Sequence, residues 1–265
     1  MRVSKSVAAE LVAAAHELAD VARVATLAHF RKPGLSAETK ELQRFDPVTI
    51  ADRLSEERMR AVLARRRPDD SIMGEEFGPV SGTSGLTWVL DPIDGTRGYL
   101  SGTPTWGVLI SVRDEVGPLY GLIDQPYIKE RFEGGLGIAR VVGPTGETAL
   151  RAREARPLSD AILFSTFPEV GSLEEGAAFR RVADRAKLVR YGTDCYAYAL
   201  VAAGQIDLVV EAGLQAYDVQ APIAVIEAAG GVVTDWKGKP CFGGGRVLAA
   251  ANASIHAEAL ALLNS

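Results

Sequence analysis

Apolar residues recur at helical spacing from Ser6 to about Phe30, at Val7, Leu11, Ala14, Ala15, Leu18, Val21, Ala22 and Ala25. They predict a long amphipathic helix, which Lys32-Pro33-Gly34 brings to an end. A second helix is predicted from Thr49 or Ala51 to Ala64. Leu54, Met59 and Val62 give it apolar contacts, and Asp52 and Glu56 share one of its faces. The basic run from Arg65 to Asp70, with Pro68, closes it. Short strand-like runs follow at Ser71 to Met73, Thr87 to Leu90, Trp106 to Arg113, Leu119 to Ile123 and about Glu130 to Phe132. Gly and Pro separate them, so the middle of the chain reads as antiparallel sheet.

Beyond Pro157 the pattern alternates. Strands are predicted at 162–165, 187–190, 208–211 and 232–234, with helices at 172–186, 195–203 and 219–229 between them. This rhythm suggests an α/β lobe after an α+β one, dividing the chain into residues 1–150 and 151–265. With 265 residues, 47% of them hydrophobic, the chain can bury a core large enough for an enzyme.

Charge narrows the partners. The net charge is -5 and the 29 Lys and Arg are scattered, so no basic footprint for nucleic acid or a membrane surface is expected. A phosphorylated small molecule would need metal ions or a local cationic pocket. Cys195 and Cys241 lack C-x-x-C spacing and are too few for a secreted disulfide framework, so the expected setting is the reducing cytoplasm. Glu10, His16, Glu17 and Asp20 interrupt the first alanine-rich stretch, leaving no signal-peptide core. No segment has the apolar length of a bilayer span.

Candidate chemistry concentrates in Trp88-Val-Leu-Asp91-Pro-Ile-Asp94-Gly-Thr96. Two carboxylates three residues apart, in a turn restricted by Pro92, can face one pocket. Left bare they would repel; a hard divalent cation such as Mg²⁺, which shares its shell with phosphate, would relieve this. Read blandly, D-P and D-G are ordinary turn dipeptides. Gly95 and Thr96 would let backbone N–H groups approach an anion.

Further acids sit at segment edges. Glu75 and Glu76 follow a short strand, and since adjacent acids in a strand diverge, at most one should reach the Asp pair. Asp46 to Asp52 opens the second helix, where Thr49 or Asp52 could simply be an N-cap, as could Asp218 before the helix running to Glu227-Ala-Ala-Gly-Gly231. Four such elements together point to a metal site.

Gly74-Glu75-Glu76, the D-P-I-D-G-T element, and Tyr217-Asp218 with Glu227-Ala-Ala-Gly-Gly231 resemble the inositol monophosphatase family of Mg²⁺-dependent, lithium-sensitive phosphatases. The likeness runs in order along nearly the whole chain. It implies a layered αβαβα sandwich of the inositol monophosphatase and fructose-1,6-bisphosphatase type, usually a homodimer, with two or three Mg²⁺ per site. By the same resemblance Glu75, Asp91, the carbonyl of Ile93, Asp94 and Asp218 match metal ligands. Asp52 and Thr96, with Glu75, match the catalytic group that handles the attacking water, and Gly95 and Thr96 match the phosphate donors. The implied reaction is in-line hydrolysis without a covalent intermediate, consistent with cysteines and histidines standing apart from the acidic elements.

The alcohol is less constrained. Arg97-Gly98-Tyr99, Pro104-Thr-Trp106-Gly and Tyr191-Gly192-Thr193-Asp194-Cys195-Tyr196-Ala197-Tyr198 resemble the histidinol-phosphate phosphatase branch. Asp194 and Glu211 would suit the ammonium and imidazole of such a substrate, though Asp194 could also cap the helix from Cys195. Arg97 could hold phosphate or pair with either acid. Inositol phosphates, other sugar phosphates and nucleoside bisphosphates stand as alternatives, as does a phosphate-binding protein that has lost catalysis.

Overall fold

The computed structural model describes residues 3–39 and 47–265; Asp46, at the head of the third acidic element, lies outside them. Helix α1 (Lys5–His29) begins where the Ser4 hydroxyl accepts the Val7 N–H, satisfying one of the orphan donors of its first turn. Strands β1 (Glu38–Thr39) and β2 (Pro47–Val48) form a small antiparallel pair ahead of α2 (Ile50–Arg66). Next come β3 (Ser71–Gly74), β4 (Gly78–Val80), β5 (Thr87–Asp94) and the short α3 (Thr96–Ser101). A meander follows, made of β6 (Gly107–Arg113), β7 (Pro118–Gln125), β8 (Glu130–Gly135), β9 (Ile138–Gly143) and β10 (Gly146–Ala149). The remaining elements are β11 (Ile162–Ser165), α4 (Leu173–Ala183), β12 (Leu188–Tyr191), α5 (Asp194–Ala202), β13 (Leu208–Leu214), α6 (Ala216–Ala228), β14 (Val232–Thr234), β15 (Gly245–Ala250) and α7 (Ala253–Leu263).

Two sheets carry the architecture. The eight-stranded sheet runs β10-β9-β8-β7-β6-β5-β3-β4, antiparallel except where β3 pairs parallel with β5. The five-stranded sheet runs β12-β11-β13-β15-β14, parallel on one side and antiparallel around β15. Leu11, Leu18, Met59 and Leu63 of α1 and α2 pack on Trp88, Leu90 and Ile110 of the first sheet. The opposite face of that sheet meets α5, α6 and the second sheet in one cluster, which joins Leu109 and Ile123 to Val201, Val209 and Val225. Phe179, Val182, Ile255 and Leu263 of α4 and α7 cover the far side. The layers are therefore α, β, α, β, α, each fully buried Leu or Ile contributing about 1.5–3 kcal/mol relative to exposure.

Both N-terminal helices, the later alternation and most of the middle sheet follow the sequence pattern; the antiparallel reading fails at β3 and β5, which pair parallel. One difference bears on function: the strand expected to stop at Leu90 continues through Asp94, with a register shift between Asp91 and Asp94. The two acids therefore lie in a bulged strand and not in a turn. Elements with no forecast are β1, β2, β4, α3, β9, β10, β15 and α7. α3 is six residues between Gly95 and Gly102, both at positive φ, too short for periodicity to register. β15 is a buried run in mid-sheet, where alternation is lost because both faces are covered.

Candidate active site

In a regular strand, residues three apart face opposite sides. The irregularity in β5 removes that divergence. One Asp91 carboxylate oxygen accepts the Ile93 N–H at 3.0 Å, and Pro92 between them has no N–H to place. Asp218 arrives from α6, where its carboxylate accepts the Gln215 N–H at 2.6 Å; it is thus the third helical residue and not the cap itself. Carboxylate oxygens of Asp91, Asp94 and Asp218 all lie within 4.8 Å of one another.

These acids are held close at an electrostatic cost. Burial, then the charges of Glu75, Asp94 and Asp218, pushes the Asp91 carboxyl well above its ordinary range. Asp94 is raised likewise by burial and then by Asp218 and Asp194. Hydrogen bonds from Cys195 oppose the shift: its backbone N–H, in the first turn of α5, donates to Asp94 at 2.6 Å. The alternative role for Asp194, as cap of α5, is not the one the structure uses. Asp194 opens the helix at φ +44°, and the acid that receives the helical N–H comes from the other sheet.

Glu75, Asp91, Ile93, Asp94, Gly95, Thr96, Arg97, Asp194, Glu211 and Asp218 all line one cavity of about 650 Å³. Glu75, in the turn after β3, faces it, and Glu76 does not line it. Asp52 is buried and does not line the cavity. It is the third residue of α2 and accepts both the Thr49 N–H at 2.8 Å and the Thr49 hydroxyl at 2.6 Å. Burial, against these hydrogen bonds, raises it to about 6, and Glu75 adds to the rise. The Thr96 hydroxyl donates to the Ile93 carbonyl at 3.1 Å. Asp52 and Thr96 are thus each engaged with other partners.

Gly95 stands at φ +83°, and a Cβ there would lie 2.7 Å from the Asp194 carboxyl carbon. Only glycine gives that backbone angle without strain and lets Asp194 close on the loop. The Thr105 hydroxyl donates to Asp194 at 3.3 Å. Burial raises the Asp194 carboxyl, while Thr105 and the Arg97 charge pull it down. The Arg97 guanidinium lies 4.9 Å from the centre of the Phe167 ring. Glu211 accepts the N–H and hydroxyl of Thr166 at 2.9 and 2.6 Å. Burial, joined by Asp94 and Asp194, takes it to about 8.

Thr166, Phe167 and Glu169 also line the cavity, and the motifs did not single them out. A signal existed: they follow β11, whose neighbours β12 and β13 are parallel to it. The carboxyl ends of such strands are where open α/β sheets bind ligands.

A sequence profile of the inositol monophosphatase family matches residues 8–265. The bifunctional phosphatase IMPL2 of Arabidopsis thaliana is 40% identical over 94% of this chain and 73% of its own length. A histidinol-phosphatase of Streptomyces coelicolor is 37% identical over 94% of this chain and 95% of its own. Among solved structures, an inositol monophosphatase from Zymomonas mobilis superposes with a TM-score of 0.84 at 35% identity, covering 96% of this chain and 97% of that one. The family match and these relatives mark the chain as a phosphoric monoester hydrolase acting on small phosphorylated substrates. The chain belongs to the inositol monophosphatase family. Among the described residues no helix is long and apolar enough to cross a membrane.

Proposed function

We propose that this chain is a Mg²⁺-dependent phosphatase that hydrolyses L-histidinol phosphate to L-histidinol and phosphate. The donor set fits the metal: Asp91, Asp94 and Asp218 offer hard oxygens within 4.8 Å of one another, and Glu75 adds charge beside Asp91. These four side chains, with the Ile93 carbonyl, would hold two or three ions. Bound Mg²⁺ supplies a water of lowered pKa and neutralises charge on the phosphoryl group.

The chain's own groups do the rest. Backbone N–H groups of Gly95 and Thr96, at the start of α3, are the phosphate donors. Asp52, at about 6, is a carboxylate near neutral pH and can take up a proton. The Thr96 hydroxyl orients the water.

One observation carries the choice of alcohol. Asp194 is pressed against Gly95 and its carboxylate also approaches Gly98, so an acid stands beside the phosphate loop. Glu211 faces the same cavity, raised to about 8. An acid beside the phosphate loop disfavours an anionic ester unless its organic part is cationic, and Glu211, held protonated at neutral pH by burial, would ionise against such a cation. Histidinol brings an ammonium group and an imidazole; inositol brings only hydroxyls. The 37% identical Streptomyces coelicolor histidinol-phosphatase supports this reading, and the Zymomonas mobilis inositol monophosphatase keeps the other one open. The test is kcat/KM with Mg²⁺ on L-histidinol phosphate and on inositol 1-phosphate. A clear preference for the first is expected, and a preference for the second overturns the assignment.

A further inference from the structure

Glu56, in α2, is fully buried and does not line the cavity that holds the acids. Its carboxylate accepts the backbone N–H of Glu76 at 2.7 Å and that of Phe77 at 3.3 Å. Arg60, one turn on, donates to the same carboxylate at 2.7 Å and also to the Gly78 carbonyl. From the opposite side the Glu75 N–H donates to the Leu90 carbonyl at 3.3 Å, one residue before Asp91. The turn bearing Glu75 is thus gripped on one side by the strand of the Asp pair and on the other by a buried ion pair of α2. Gly74 makes room for this grip: a Cβ there would stand 2.0 Å from a Glu56 oxygen.

A buried carboxylate is expensive unless fully hydrogen-bonded and paired. Here it binds three donors, two of them the main-chain N–H groups that follow Glu75 in the turn. We infer that Glu56, with Arg60, is a positioning residue that aims Glu75 at the metal site and so sets metal affinity without touching metal or substrate. The inference rests on the metal site proposed above. Charge-assisted bonds to main-chain N–H groups are short and directional, so the backbone of the turn is fixed before any ion arrives. Groups that orient a metal ligand in this way typically govern about 10–100-fold in affinity.

Glu56→Gln keeps the shape but turns one acceptor oxygen into an NH₂ facing an N–H or a guanidinium. Calorimetric titration of the folded, metal-free proteins with MgCl₂ tests the inference. The expected result is wild type binding Mg²⁺, Glu56→Gln binding it about 10–100-fold more weakly, and kcat recovering at saturating Mg²⁺ with the KM for ester unchanged. A merely structural role would lower Tm and leave the Mg²⁺ affinity of the folded protein where it was; that result overturns the inference and leaves the metal site standing. Wild type failing to bind Mg²⁺ overturns both. Should Glu56→Gln not fold, Gly74→Ala displaces the same carboxylate from the other side and is read the same way.

Discussion

Asp94 of the first sheet accepts the backbone N–H of Cys195, in the first turn of α5, at 2.6 Å. One carboxylate thereby belongs to the acid cluster and also caps a helix packed between the two sheets. Helix N-termini favour negative charge, so α5 offsets part of the repulsion around Asp94. Asp94→Asn should lower kcat by roughly 10²–10³ or more, the scale of losing one preorganised electrostatic group. Since the substitution also removes one of several crowded charges, the metal-free variant should melt at or above the wild-type temperature. Paired kinetics and thermal melts check both halves.

Gly95→Ala sets a side chain at φ +83° against Asp194. The left-handed backbone costs an L-residue roughly 1–2 kcal/mol, and the clash adds to it. A loop shifted by about 1 Å can lose on the order of 10²-fold in rate. The prediction is a folded protein with a small fall in Tm and a large fall in kcat/KM, measured on any accepted ester.

Metal-free stability should depend on pH in a stated direction. Glu211 rises from its ordinary 4.5 to about 8 in the folded chain, and Asp91 and Asp94 are raised too. A raised carboxyl means the folded state holds more protons than the unfolded one, so stability falls as pH rises. Glu211 contributes fully below about 4.5 and loses its contribution as pH climbs through 8. Melts in EDTA should therefore drop between these values, and Glu211→Gln should flatten the slope. Mg²⁺ requires ionised ligands, so the Tm gain from added Mg²⁺ should be larger at pH 8 than at pH 5.5.

Asp194→Asn tests the choice of substrate. Hydrogen bonds to charged groups are worth about 1.5–3 kcal/mol, so KM for L-histidinol phosphate should rise about 10–100-fold. Inositol 1-phosphate, with no cation to lose, should be hydrolysed equally well or better. Equal effects on both esters would remove Asp194 from the organic subsite.

Side-chain chemistry leaves a clearer mark in this sequence than backbone geometry does. The Asp91 to Thr96 element stood out because carboxylates, proline and glycine at fixed offsets are rare by chance. Its geometry did not, since a bulge leaves no mark of its own in sequence and the segment read as a turn. Asp52 and Glu56 were placed on one helix face by their spacing, but charged residues normally face water, so nothing indicated that this face is buried. α7 was missed although Ile255, Ala259 and Leu263 recur at helical spacing and the Asn252 side chain caps the helix. β15 is short and buried in mid-sheet, where a helix and a strand share the same pattern.

The proposed cation site among Asp91, Asp94 and Asp218 can be observed directly. Crystals soaked in Mn²⁺, a close surrogate for Mg²⁺ at oxygen sites, and measured at the manganese edge test it directly. The account predicts an anomalous peak bounded by these three carboxylates in wild type, and its loss in a folded Asp91→Asn/Asp94→Asn variant. An active enzyme whose only peak lies elsewhere, or that shows none, would contradict it.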